Sequence, residues 1–205
     1  MFTAGFTKKN LLSTLVIRVK DFYENENERQ LLVVDASERA MVFRLGARML
    51  NDFRPAEVYA EYNRMYDRDG NVDIKRSHGA IVCPDLAIFT NDKKIDGADK
   101  LVIEVKKTTG DNPETDYSND VSKLKDFTSP SFQYLLGCHL ILGLNYFIVV
   151  CYWAGHPRSI LKFDYDHDRN LWSEQCQNYP DGFEYNTLDE LVSMLSESEE
   201  RCVAR

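Results

Sequence analysis

Two segments carry the strongest strand pattern in the chain, 80–89 (AIVCPDLAIF) and 100–107 (KLVIEVKK). Both are rich in β-branched and apolar residues and have turn-forming flanks. The polar stretch 91–99 joins them, so antiparallel pairing through that turn would lay them side by side. Residues 145–153 (NYFIVVCYW) read as a buried strand, 158–165 as another, and 57–65 as a strand ended by the Asp-Arg-Asp-Gly turn at 67–70. A short strand is expected at 71–76. Residues 11–20 (LLSTLVIRVK) suit a helix or a strand.

Helical signals fall between these segments. Asp35, followed three residues later by Glu38, predicts a capped helix start, with the helix running to about 51. A second helix is predicted from about 119, pausing at Ser129-Pro130 and resuming over 132–142, with Gly143 as its stop. A last one begins near Leu188, capped by Thr187 with Glu190 three residues on. The order of elements predicts one α/β domain over residues 1–205, with a mixed central sheet flanked by helices.

A chain of 205 residues is long enough to bury a sizeable core. Its longest apolar run, 135–153, is broken by Gly137, His139, Gly143 and Asn145, so no membrane partner is expected. The start has no signal-peptide order. Five scattered cysteines without a Cys-x-x-Cys pair argue against a disulfide framework or a structural zinc site, and fit a reducing cytoplasm. The net charge of −8 argues against a broad basic surface for nucleic acid. The acid is uneven, however: a middle section carries Arg39, Arg44, Arg48, Arg54, Arg64, Lys106 and Lys107. A bound cation would also reverse the local field at a carboxylate cluster.

The candidate chemistry lies on the paired strand segments. In an extended 101–107, Val102, Glu104 and Lys106 share one face and Leu101, Ile103 and Val105 the other. Asp85 lies in an otherwise apolar run, where a charge is costly unless paired or bound to a cation. Pairing through 91–99 would set Asp85 beside Glu104. Two carboxylates suit a hard divalent ion such as Mg2+ or Mn2+. An adjacent ammonium suits a water nucleophile or a developing phosphate charge. The plain alternative for Glu104-x-Lys106 is a surface ion pair on a hairpin.

Asp85…Glu104-x-Lys106 resembles the core motif of the PD-(D/E)xK nuclease superfamily. Ser37-Glu38-Arg39…Arg44-Leu45 is similar to that superfamily's first helix, and Glu61-Tyr62-Asn63-Arg64 to a strand signature in some bacterial and phage members. Asp120-x-x-Lys123-Leu124 and Gln133-Tyr134 are similar to its following helix segments. The resemblance covers about 30–155 and leaves 156–205 as a C-terminal strand and helix extension. It implies a restriction-endonuclease-like αβββαβ core and Mg2+- or Mn2+-dependent hydrolysis of phosphodiester bonds in DNA or RNA. In that reading Asp85, Glu104 and Lys106 are catalytic; Asp85, Glu104, Glu38 and the Val105 carbonyl hold the metal; and Arg64, Lys107, Lys123 and Gln133 contact substrate. It leaves open a homodimer or a partner protein.

Several residues carry two readings. Glu38 either completes a capping box with Asp35 or points inward along the stripe Glu38, Val42, Leu45, Met49. Glu61 either hydrogen-bonds Lys106 or a metal-bound water, or is a half-exposed strand acid. Asp120 and Lys123 form an intrahelical pair unless Lys123 faces the site. His139 reads as a core histidine in an apolar helix, and Tyr134 as core. No nucleotide-binding loop or serine-hydrolase motif is present. A second functional class stays open: a binding or effector protein on the same scaffold, acting through protein contacts without cleavage.

Overall fold

The computed structural model describes residues 6–53, 56–61, 64–66, 72–74, 76–77, 80–89, 99–108, 117–132, 134–179 and 185–196. Within 61–80, only Glu61 is described with its side chain.

The N-terminal quarter is helical. α1 (Lys8–Glu24) is capped by Thr7, whose side chain accepts from the Asn10 N–H. Its buried residues, Leu11, Leu15, Val19 and Phe22, are three or four apart, and this spacing resolves 11–20 as helix. Asn25 ends α1 and caps α2 (Glu26–Val33). α3 spans Glu38–Met49, and its cap is Ser37, not the expected Asp35. Asp35 instead turns the chain between α2 and α3 with φ 54°, a left-handed conformation that Asp tolerates better than most residues. The Arg18 guanidinium grips both oxygens of Asp52 at 2.6 Å, and Arg48 pairs with Glu28 at 2.5 Å, so ion pairs lace the three helices together.

Seven strands form the main sheet, in the order β1 (Glu57–Ala60), β6 (Leu86–Phe89), β7 (Asp99–Lys107), β8 (Leu136–Leu142), β9 (Tyr146–Trp153), β10 (His156–Asp166) and β11 (Leu171–Asn178). The short strands β2 (Arg64–Tyr66) and β3 (Val72–Ile74) pair with each other, as do β4 (Arg76–Ser77) and β5 (Ala80–Ile81). Neighbours in the main sheet are antiparallel except β7 and β8, which run parallel. A parallel pair needs a crossover, and α4 (Ser118–Phe127) provides it. The expected antiparallel pairing of 80–89 with 101–107 is present as β6 against β7.

The sheet separates two apolar clusters. Leu101, Ile103 and Val105 join β8 and β9 residues such as Leu140 and Val149 under α1–α3. Val102, Ile141, Ile148 and Val150 face the other way, packing with Leu124 and Phe127 of α4 and with Leu191 and Met194 of α5 (Leu188–Ser196). This alternation along β7 sends Glu104 and Lys106 toward the α4 side. Tyr23, buried at the end of α1, donates toward the Gly143 and Tyr146 carbonyls, both at 2.6 Å, in the turn between β8 and β9.

Other local expectations differ from the structure. The segment expected to continue as helix over 132–142 contains β8, buried at every position. A central strand covered on both faces has no alternation, so its apolar run resembles a buried helix. Gly143 accordingly lies in a hairpin turn, donating to the Tyr146 carbonyl at 2.9 Å, and is not a helix stop. β1 ends at Ala60, short of 65, because Glu61 turns with φ 50°. β11 was not anticipated; its polar residues and alternating exposure mark an edge strand. The Thr187–Glu190 capping box does form, with Thr187 N–H donating to the Glu190 carboxylate and Glu190 N–H to the Thr187 hydroxyl.

Among the described residues no helix is long and apolar enough to cross a membrane.

Leu140→Ala should cost about 2–5 kcal/mol in urea unfolding, because Leu140 is fully buried under the helical layer. Leu171→Ala, on the exposed edge strand, should stay within about 0.5 kcal/mol of wild type. Equal losses would contradict this placement of the core.

Candidate active site

Asp85 sits in the bend just before β6, one residue short of the paired strand. The β6–β7 ladder reaches Leu86 opposite Ile103. Just beyond that pair the Asp85 side chain takes over, accepting from the Val105 N–H at 2.6 Å. Its own carbonyl accepts from Glu61 N–H at 3.1 Å. The carboxylate is thereby anchored to the strand that bears Glu104. In an extended strand a residue's N–H and C=O leave by the same edge, so the Val105 carbonyl also leaves on the Asp85 side.

Glu104 is 1% exposed. One oxygen, Oε2, accepts from Lys123 Nζ at 2.8 Å, while Oε1 is buried without a hydrogen-bond partner among the described residues. Burial pushes its pKa well above the usual carboxylate range, and the negative charge of Asp85 pushes in the same direction. Asp85 is also raised by burial, against the Val105 N–H and Lys123, which favour its anion.

Asp120, on the first turn of α4, is a third acid at the site and, like Glu104, is buried. It accepts from Lys123 at 3.0 Å and lies 3.2 Å from Lys106 Nζ. Burial would raise its pKa, but Lys123 foremost, with His139 and Lys106, holds it below the ordinary value. Lys106 stands between Asp120 and Glu38, with Glu38 Oε2 at 3.6 Å. Desolvation works against its charge, yet Asp120 and Glu38 prevail and raise its pKa, so it is an ammonium at neutral pH. Lys123 is likewise raised: desolvation opposes, and the Glu104 and Asp120 carboxylates win.

The structure therefore brings together Asp85, Glu104, Lys106, Lys123 and Glu38 from the expected set. Glu38 points inward: it is the first residue of α3, and its Oε1 accepts from the Lys107 N–H at 3.3 Å. The capping box with Asp35 does not form. Lys123 keeps its intrahelical partner and also faces the site. Lys107 turns away: its Nζ donates to the Ala36 carbonyl at 2.8 Å, the Asp35 carbonyl at 3.2 Å and the Asp35 carboxylate, fixing the α2–α3 turn. Glu61 pairs with Arg39 at 2.7 Å on the surface, in keeping with its reading as an exposed acid and not with a bond to Lys106. The Arg64 side chain and Gln133 lie outside the described residues.

Two groups were undervalued in the sequence. Asp120 ties both lysines to the site, and its i, i+3 spacing with Lys123 was the available signal. His139 is a core histidine as expected, but it lies on β8 in direct register with Glu104, not in a helix.

Among the described residues no group of three or more His, Cys, Asp and Glu side chains forms a metal cage. Two carboxylates and a strand carbonyl are nonetheless a donor set that Mg2+ tolerates, since this ion commonly binds through one or two protein carboxylates and keeps several waters. The orphaned Glu104 Oε1 and the raised Asp85 and Glu104 fit a position short of positive charge. Comparison with protein-family models, with curated proteins and with solved structures finds no match to this chain.

A carboxyl whose pKa is higher folded than unfolded takes up protons on folding, so its stabilising contribution is full below its unfolded value near 4.5 and is lost as pH rises through the folded value. In EDTA, the stability of wild type relative to Glu104→Gln should therefore fall as pH is raised from 4.5, and Mg2+ should reduce that fall. Urea melts across pH measure it; a difference independent of pH would contradict a raised Glu104.

Proposed function

We propose that this chain is a divalent-metal-dependent nuclease of the PD-(D/E)xK type, hydrolysing phosphodiester bonds of DNA. One observation carries the reading: two carboxylates, the buried Glu104 and the half-buried Asp85, meet at the end of a strand pair, with Lys106 on the same strand face as Glu104. Burying like charges together is unfavourable without nearby positive charge. The succession α3, β1, β6, β7, α4, β8 supports the reading further, since it runs in the αβββαβ order of that superfamily, with short paired strands inserted between β1 and β6.

Asp85, Glu104 and the Val105 carbonyl would hold Mg2+ or Mn2+, with Glu38 as a further acid at the edge. The ion, when bound, supplies Lewis-acid polarisation of the phosphoryl oxygen and a bound water of lowered pKa. The chain's own groups set the rest. Asp85 is held by the Val105 N–H, so little side-chain freedom remains to be lost on binding. Lys106 is protonated, so it serves as a hydrogen-bond donor to the attacking water or to the phosphate, not as a general base. Asp120 holds that ammonium in place, and Lys123 keeps Glu104 Oε2 directed toward α4.

A second reading draws on the same contacts. Lys123 and Lys106 already neutralise Glu104 and Asp120 within the protein, and the chain carries a net charge of −8. These features suit a scaffold that binds a protein partner without cleaving nucleic acid.

Labelled DNA and RNA incubated with Mg2+ or Mn2+ separate the two. Under the nuclease reading, Glu104→Ala and Lys106→Ala each lower cleavage by about 100-fold or more, consistent with loss of a metal ligand or an electrostatic stabiliser. Cleavage that survives either change sinks the mechanism. A wild-type protein that neither cleaves nor binds Mn2+ in calorimetry favours the binding protein.

A further inference from the structure

Behind the carboxylates lies a buried polar chain that the proposed chemistry leaves unused. His139, fully buried on β8, is the register partner of Glu104 in the parallel β7–β8 ladder, so both side chains project toward α4. Its Nδ1 lies 2.8 Å from the Tyr185 hydroxyl, and the Tyr152 hydroxyl donates to Tyr185 at 2.7 Å. Tyr185 thus receives one hydrogen and directs its own to Nδ1. Burial holds the His139 pKa down to about 4, so the ring is neutral; with Nδ1 as the acceptor of the Tyr185 hydrogen, its single proton is assigned to Nε2.

That Nε2 is buried without a partner among the described residues, as are Glu104 Oε1 and the Tyr117 hydroxyl. Tyr117, immediately before α4, sets its ring edge-to-face against His139 at 5.0 Å between centroids. An orphaned donor and an orphaned acceptor on register neighbours, with an orphaned hydroxyl on a ring packed against the donor, are the usual setting of an internal water.

We infer that His139 is a positioning residue for Glu104, its Nε2–H bridged to Oε1 by one internal water that Tyr117 also contacts. The chain Tyr152, Tyr185, His139, water, Glu104 orients Oε1, whose second lone pair stays open to a cation, while Lys123 holds Oε2. The role in metal binding rests on the nuclease reading; the His139–Glu104 link itself does not.

Histidine-labelled, metal-free protein tests the link by long-range proton–nitrogen spectra, with His139→Phe assigning the resonance. A neutral ring carrying its proton on Nε2, slow to exchange and displaced in Glu104→Gln, is expected. A proton on Nδ1, or an Nε2–H signal unmoved in Glu104→Gln, overturns the inference. Calorimetry with Mn2+ then tests the consequence. His139→Phe should weaken binding about tenfold, as loss of a group that orients a ligand does, and His139→Gln should recover most of it. A folded His139→Phe that binds Mn2+ like wild type overturns the positioning role. If His139→Phe does not fold, Tyr185→Phe, which removes the partner of Nδ1 and keeps the ring, takes its place in both measurements. A wild-type protein that binds no Mn2+ defeats the nuclease reading alone, since the spectra still decide the link.

Discussion

The burial of Glu104 is the constraint around which the site is arranged. A carboxylate at 1% exposure has lost nearly all its water, and the structure compensates only one of its two oxygens directly. Lys123 supplies that compensation but is shared with Asp120, which in turn holds Lys106. Removing any one of these four leaves another buried charge exposed to the low dielectric. The cluster therefore behaves as a unit, and the effects of single substitutions within it will not add.

The scaffold makes that unit possible through the pairing of two strands in parallel. β7 and β8 lie in the middle of the sheet, covered on both faces, and the crossover between them has to be a helix that returns over one face. That helix is α4, and its first two turns carry Asp120 and Lys123 to the face on which Glu104 and Lys106 emerge. Asp85 arrives from the opposite edge of β7, where β6 begins too late to satisfy the Val105 N–H. Three chain segments far apart in sequence converge because the ladder on one side and the crossover on the other meet at the same end of one strand.

Much of this was legible in the residues. Two-residue spacing put Glu104 and Lys106 on one face, and a lone acid in the apolar run 80–89 singled out Asp85. The pairing of those segments followed from the polar stretch between them. What could not be read was any feature decided by tertiary contact. β8 has no alternation because both faces are covered, so its period was mistaken for that of a helix, and His139 lost its place beside Glu104. Ser37 and Asp35 are both good caps; the left-handed turn at Asp35, held by Lys107 from β7, decides between them, and that contact spans 72 positions. Alternation along the strand already separated Lys107 from Lys106; what it could not show is that Lys107 reaches the Asp35–Ala36 turn.

Tyr23 places a condition on how the chain assembles. Its hydroxyl, at the end of the first helix, reaches the Gly143 carbonyl 120 positions later and that of Tyr146 beside it. During synthesis from the N-terminus, α1–α3 emerge long before that hairpin exists, with the faces that will cover the sheet still open to solvent. Closure over so long a separation is slow for entropic reasons, and the three helices must wait for the ribosome to deliver their platform. These helices are thus made before the sheet they cover, and their apolar faces stay exposed to aggregation until it arrives.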